Sequence, residues 1–443
     1  MTRTLSFRAT LEPDGVRSDR RLEVAADGTI VSIVAGGPPY DGYFALPGMP
    51  NAHSHSFQRA LAGRGEAPRG EDSFWTWRQE MYRLANTLEP EDVRAITRQA
   101  SVEMLRGGFT RLVEFHYLHH GRRGARGPAM AEAVIAGAAD AGMPLTLLPV
   151  YYRTADFSGE AALPEQHRFV HPSLEAFLAT LEGLGEQVGG VAPHSLRAVP
   201  PAEIAALVKA VDAMSGLELP VHVHIAEQTG EVEACRERFG RTPVELLFEH
   251  VTVGPRWHLV HATHATASEL AMVRDAGANV VLCPLTEAYL GDGIFEARDH
   301  LAAGGSACLG TDSNVRISAI EELRTLEYGQ RLRDRMRCRL GSPEGLGGPL
   351  WSRLASAGAP AAGAPIGSIE VGRRADLVIL DEASPHLAGH EPATALDAWV
   401  VGGGNDDIAA VYVAGSRVVD HGRVEGETQA RDDFSRVMER LRA

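Results

Sequence analysis

Paired cysteines are absent from this 443-residue chain. Its four cysteines, Cys235, Cys283, Cys308 and Cys338, are scattered without Cys-x-x-Cys spacing, a pattern of reduced, mostly packed thiols in a cytoplasmic protein rather than of a disulfide framework. Long basic runs are absent too. With 43 basic against 58 acidic residues and a net charge of −15, nothing offers an electrostatic grip on a phosphate backbone, which sets nucleic acid aside as a partner. No run of about 18 apolar residues occurs, and the opening MTRTLSFRATLEPDG carries neither a sustained apolar stretch nor a small-residue cleavage site. The expectation is a soluble chain with no membrane partner.

What is present falls into two textures. Residues 4 to 36, 375 to 381 and 409 to 422 alternate apolar and polar positions around Gly and Asp turns, with Ala-Gly-Ser at a hairpin near residue 415. These read as short antiparallel strands, and their location at both ends suggests one small β-sandwich domain built from residues 1–46 and 361–443. Residues 47–360 lie between. They alternate strand-like and helix-like segments in the rhythm of a parallel sheet. A helix begins near Pro90, carries Val93, Ile96, Ala100 and Met104 on one face, and is stopped by Gly107-Gly108. Eight apolar runs are visible: the one before His53, then 110 to 116, 144 to 152, 189 to 195, 220 to 227, 257 to 264, 279 to 287 and 306 to 314. Eight strands with intervening helices specify an α/β fold of the (β/α)8 barrel type, which needs about 250 residues.

Polar residues are distributed unevenly along these runs. Every run except the third closes on His, Asp or Glu: His53 and His55, Glu114 and His116, His194, His224 and Glu227, His261, Glu287, Asp312. Barrel enzymes carry their chemistry at the carboxyl ends of the strands, so these side chains are expected to share one mouth. His53 and His55, two apart on an extended backbone, point the same way. Such a pair alone is often just two polar residues on a strand. Joined by His224 and Asp312, it supplies three imidazoles and a carboxylate, a donor set for one catalytic Zn²⁺, with Fe²⁺ also suited. No lysine ends a central strand, which speaks against a second metal bridged through a carbamylated lysine. His222 shares a strand face with His224 and is an alternative ligand, although its deeper position favours a core role. Glu227, three after His224, is placed to hand a proton to a substrate nitrogen. Asp312 is placed to relay the proton of an attacking water, and His261 to orient that water and offset developing charge. His119, His120, His258 and His264 read as structural or peripheral.

These residues resemble the amidohydrolase superfamily, whose His-x-His after strand 1, His on strands 5 and 6 and Asp on strand 8 are matched in order. Eight segments are similar, more narrowly, to its formimidoylglutamate deiminase branch: NAHSHSFQRALAG (51 to 63), DSFWTWRQEMYR (72 to 83), VEFHYLHH (113 to 120), APHSLRAV (192 to 199), HIAEQ (224 to 228), LVHATH (259 to 264), CPLTEAYLGDG (283 to 293) and LGTDSN (309 to 314). Leu285 and Tyr289 depart from that pattern. The resemblance implies one metal, zinc, and hydrolysis of a formimino C=NH to a formyl C=O with release of ammonia from a small dianionic substrate in histidine degradation. It also implies a homodimer, with residues 57 to 87 at the interface. Two carboxylates demand local cations and donors. Arg197, Arg78, Gln58, Tyr117 and His194 are the substrate-binding residues it implies. Two other functions fit parts of the sequence: a mononuclear deaminase of a nucleobase or related ring, and a barrel without catalysis serving as a scaffold.

Overall fold

The computed structural model describes residues 2–64, 66, 74–122, 127–216 and 218–442. Residues 72 and 73 of the 72 to 83 segment lie outside these, as do residues 65 and 67–73 of the stretch expected at a subunit interface. Among the described residues, eight parallel strands form the barrel: Met49–Ser54, Phe109–His116, Leu145–Tyr151, Ala192–Pro193, Val221–Ile225, Trp257–His261, Asn279–Leu282 and Ser306–Leu309. They pair as two runs of four, each in chain order. Nearly every residue of these strands is buried, as parallel strands covered on both faces require.

Two seams close the runs into a ring. At the first, Val191 bridges Val221 and Ser195 bridges His224, with His224 N donating to His194 O at 3.1 Å. At the second, Ser54 bridges Asp312. There His53 O accepts from the N–H groups of both Thr311 and Asp312 at 3.0 Å, and His55 N donates to Asp312 O at 2.9 Å. Gly310 makes this second seam possible, because a Cβ there would lie 2.7 Å from His53 Cβ and 2.8 Å from His53 O.

The barrel floor is closed by the helix Gly347–Ala362. Carbonyls along its C-terminal half accept from side chains of the barrel strands. Asn279 Nδ2 donates to Ala357 O at 2.9 Å, Thr146 Oγ1 to Ala362 O at 2.8 Å, and His222 Nε2 lies 2.9 Å from Ala361 O. His222 is therefore a floor residue, and the alternative that made it a ligand is corrected.

Both chain ends build the remaining sheet. Its order places Leu377–Leu380 beside Gly42–Pro47, which in turn lies beside Arg3–Glu12. Leu5, Phe7, Leu22, Leu377 and Tyr412 share one apolar core. The Phe7 and Tyr412 rings, on strands three places apart in the sheet, come within 6.4 Å, so the sheet is folded onto itself as a sandwich. Ala414 and Gly415 both have positive φ, 50° and 71°, the conformation of a type I′ hairpin turn. Gly42–Pro47 runs almost directly into the first barrel strand, and the final helix Glu427–Arg440 returns to the barrel helix Pro90–Arg106 through ion pairs Arg440–Asp92 and Arg98–Asp433.

Most of the expected runs become shorter strands, the eighth ending at Leu309, and for the fourth and seventh a proline is responsible. The fourth strand spans only Ala192–Pro193, where proline removes a ladder donor. The seventh stops at Leu282, and Pro284 at the first helical position opens Pro284–Leu290; Glu287 sits on that helix rather than on a strand end. Among the described residues no helix is long and apolar enough to cross a membrane. Cys235, Cys283 and Cys308 are buried, Cys338 is exposed, and all are unpaired.

Because Gly310 meets backbone, Gly310→Ala should push the eighth strand off the first, costing about 1–3 kcal/mol of stability and weakening metal retention. Gly183→Ala, with open space around the position, is the control. Denaturation midpoints and metal content would read both, and equal behaviour of the two variants would refute the seam argument.

Candidate active site

The two seams deliver four metal-ligating side chains to one point, His224 from the first and His53, His55 and Asp312 from the second. The nearest donor atoms of His53, His55, His224 and Asp312, all buried, lie within 4.8 Å of one another. His53 Nε2 is 3.1 Å from His224 Nε2 and 3.5 Å from Asp312 Oδ1, and His55 Nε2 is 3.3 Å from the same oxygen. Two of the rings are locked from behind: Nδ1 of His55 faces Phe115 O and Nδ1 of His224 faces His194 O, each at 3.0 Å. A carbonyl accepts only from N–H, so the proton sits on Nδ1 and Nε2 presents its lone pair to the centre. Burial drives His53 and His224 well below the ordinary imidazole range, and burial followed by the His53 charge takes His55 to about 3. All three rings are neutral at physiological pH. Lone pairs and a carboxylate converging without protons between them are the donor set of a divalent metal ion.

The backbone at the mouth is bent to aim these groups. Ala226, His261, Ala262, Asp312 and Asn314 have positive φ between 46° and 70°, which is unfavourable for residues with a Cβ and concentrates at functional sites. Asn314 holds the bend at Asp312 with its Nδ2, whose two hydrogens are shared among Asp312 O, His55 O and Ser54 Oγ at 2.9, 3.1 and 3.0 Å. Its Oδ1 accepts from Thr311 Oγ1 at 2.6 Å, and Thr311 in turn is paired with Asn51.

Beside the donors stand the proton-carrying groups. His261 Nε2 lies 3.8 Å from Glu227 Oε1 and 4.0 Å from Asp312 Oδ2, while its Nδ1 is 3.4 Å from Glu287 Oε1. Burial opposes charge on His261, but Glu227, Glu287 and Asp312 outweigh it and raise the ring to about 10. Burial raises Glu227 to about 6, against the pull of His261 and Arg197. A carboxyl poised there can both hold and release a proton near neutrality. Arg197 is buried with its terminal nitrogen 3.6 Å from Glu227 and its Nε 3.7 Å from Glu231. One edge of the guanidinium fork is thus turned to Glu231, and Glu231 also accepts Glu227 N at 3.0 Å.

A cavity of about 540 Å³, open solvent at its mouth included, extends from these groups and brings together every substrate-side residue named from the sequence: Gln58, Arg78, Tyr117, His194 and Arg197. Gln58 Nε2 donates to Tyr117 Oη at 2.6 Å. His194 Nδ1 is 3.1 Å from Ser195 Oγ, and its ring packs 4.6 Å from Tyr152. Arg78 lies on the helix Phe74–Ala85, with its guanidinium 4.5 Å from the centre of the Trp75 ring. His119 and His264 face backbone carbonyls of Val150 and Asp292.

Three further groups belong to the site and carry little signal in the sequence. Glu287 steadies His261, and its signal was the acidic end of the seventh run. Glu231 lies four after Glu227, one helical turn on, which is a weak signal. Asp292 is buried, bonded by Gln228 Nε2, and raised to about 9 by burial and then by Glu227; only its membership of the 283 to 293 segment pointed to it.

Residues 44–418 match the Amidohydrolase family. The chain is 45% identical to formimidoylglutamate deiminase of Pseudomonas aeruginosa, covering 100% of both chains. It is 31% identical to 8-oxoguanine deaminase of the same organism, over 91% of this chain and 90% of that one. Among solved structures, an amidohydrolase from Brucella melitensis superposes with a TM-score of 0.89 at 40% identity, covering 99% of this chain and 100% of the other. A family match over most of the chain, joined to this barrel and this donor cluster, has one reading: the protein belongs to the amidohydrolase family.

Proposed function

We propose that this chain hydrolyses the formimino group of N-formimino-L-glutamate, giving N-formyl-L-glutamate and ammonia. The observation that carries this reading is 45% identity across the full length to the Pseudomonas aeruginosa formimidoylglutamate deiminase. The cavity is consistent with it, since Arg78 and Arg197 can answer two carboxylates in a chain of net charge −15.

His53, His55, His224 and Asp312 are the residues that would hold the ion, and zinc suits three imidazoles and one carboxylate. When bound, a divalent ion lowers the pKa of water and makes it nucleophilic at neutral pH. Glu227 gives a proton to the imine nitrogen as water adds to the formimino carbon. His261 steadies the charge that builds on the attacking oxygen, and Glu287 behind it holds the ring. Asp312 accepts the proton of that water through the oxygen facing His261 and passes it to the departing nitrogen, while the hydroxyl proton left on the added oxygen returns to Glu227, so that C–N breaks, C=O forms and ammonia leaves. Arg197, Arg78, Gln58, Tyr117 and His194 bind and orient the substrate. The same reading takes the enzyme as a cytoplasmic homodimer in histidine degradation.

Ammonia release from N-formimino-L-glutamate, N-formimino-glycine and guanine tests the assignment. Turnover should be fastest with the first, and preferential deamination of guanine would transfer the chain to the nucleobase deaminases. In that assay Glu227→Gln should lower kcat at least 100-fold, the effect expected of a positioned acid, with metal content unchanged; activity within tenfold of the parent would remove Glu227 from this role. Arg197→Met should raise KM for the dianion strongly, and an unaltered KM would show that Arg197 serves only its two glutamates.

A further inference from the structure

One buried acid at the end of a barrel strand takes no part in the chemistry described so far. Glu114 closes the second apolar run, yet it does not line the cavity and is only 2% exposed. Its carboxyl group meets the first strand instead. Oε1 accepts Ser56 N–H at 2.7 Å, Oε2 accepts the Ser56 hydroxyl at 2.6 Å, and the Ser54 hydroxyl is a third donor. Burial pushes the group up to about 7, against the pull of the Ser56 and Ser54 bonds, and among the described residues no arginine or lysine offsets its charge. A buried acid without a counter-ion is costly unless its oxygens are hydrogen-bonded. Those three bonds make its place tenable.

The two serines flank His55. Asn51 pairs with Leu112 but Ser54 with Glu114, so three residues advance on the first strand against two on the second. That is a bulge, which re-aims side chains and interrupts regular pairing. Beyond Ser54 the ladder to the second strand stops, and Ser56 N–H goes to the Glu114 side chain rather than to a strand carbonyl. The next residue of the same strand holds the His55 ring, through Phe115 O at 3.0 Å. Main chain and ring of this one metal donor are thus fixed by consecutive residues of the second strand. Ser54 Oγ also accepts from Asn314 Nδ2 at 3.0 Å, which leaves the Ser54 proton for Glu114.

We propose that Glu114 is a positioning residue of the metal centre: by taking hydrogen bonds from Ser54 and Ser56, on either side of His55, it sets where that ring meets the ion. The inference rests on the metal centre of the deiminase reading and not on which substrate is hydrolysed. Glu114→Ala removes all three acceptor contacts. Glu114→Gln keeps an acceptor for Ser56 N–H but puts an NH₂ group against the serine hydroxyls, which can no longer donate to it.

The test challenges the zinc-loaded enzyme with a chromophoric chelator, so that zinc transfer at equilibrium gives the affinity, beside circular dichroism of the same samples. Glu114→Ala should weaken zinc binding about 10–100-fold, the range for groups that support a ligand from behind, with the circular dichroism of the parent. In a His55→Ala background the same substitution should cost less than threefold, because a residue acting through that ring has nothing left to place. Zinc affinity of Glu114→Ala within threefold of the parent, or a full additional loss in the His55→Ala background, would overturn the proposal. Should Glu114→Ala fail to fold, Glu114→Gln decides alone: a loss of threefold or more sustains the proposal and a smaller one overturns it. A parent protein that holds no zinc would defeat the metal centre and this proposal together. Zinc held in dependence on Glu114, in a protein releasing no ammonia from N-formimino-L-glutamate, would sustain the proposal and defeat the deiminase reading alone.

Discussion

The main-chain oxygen of His53 accepts two backbone N–H groups from the eighth strand, and the rest of the site depends on that junction. Asp312 is separated from His53 by most of the barrel in sequence, yet this seam puts its carboxylate 3.5 Å from the His53 ring. Desolvating three imidazoles and a carboxylate is unfavourable unless a cation repays their lost hydration. The protein therefore keeps the donors together by backbone pairing, by the Asn314 bridge and by left-handed residues, none of which needs the ion. Preorganisation of this kind lets the donors meet a metal with little rearrangement.

A second layer of charge surrounds the donors and sets their division of labour. His261 is held between carboxylates on both of its nitrogens, Glu287 on one side and Glu227 with Asp312 on the other. Burial alone would leave that ring neutral; the three carboxylates keep it protonated. His55, equally buried but facing one carboxylate and another histidine, goes the opposite way. Identical side chains thus serve as ligand or as cation according to the number of acids within reach.

Much of the site was legible because a barrel converts a linear rule into a spatial one. Strand ends meet at one mouth, so His53, His55, His224, His261 and Asp312 could be grouped from their places in the apolar runs, and the structure does bring them together. Contacts that run across elements were not legible. Glu231 joins Arg197 because the chain turns into a helix straight after Glu227, which gives the arginine a second counter-ion that spacing alone did not announce. Glu287 reads in sequence as a strand-end residue, since an apolar run ending in Pro-Leu-Thr-Glu looks continuous until proline opens a helix within it. His222 and His224 share a strand face in sequence; what separates them is the floor helix, whose carbonyl occupies His222.

The claim on which all of this stands is that three imidazoles and one carboxylate, contributed by the first, fifth and eighth strands, share a single ion. X-ray absorption at the metal edge of the purified, unmutated protein addresses it most directly. The account predicts one metal per chain with a shell of nitrogen and oxygen only, including multiple-scattering features of three histidines. A sulfur scatterer from the nearby buried Cys283, fewer than two imidazoles, or no metal held at stoichiometry after dialysis would contradict it.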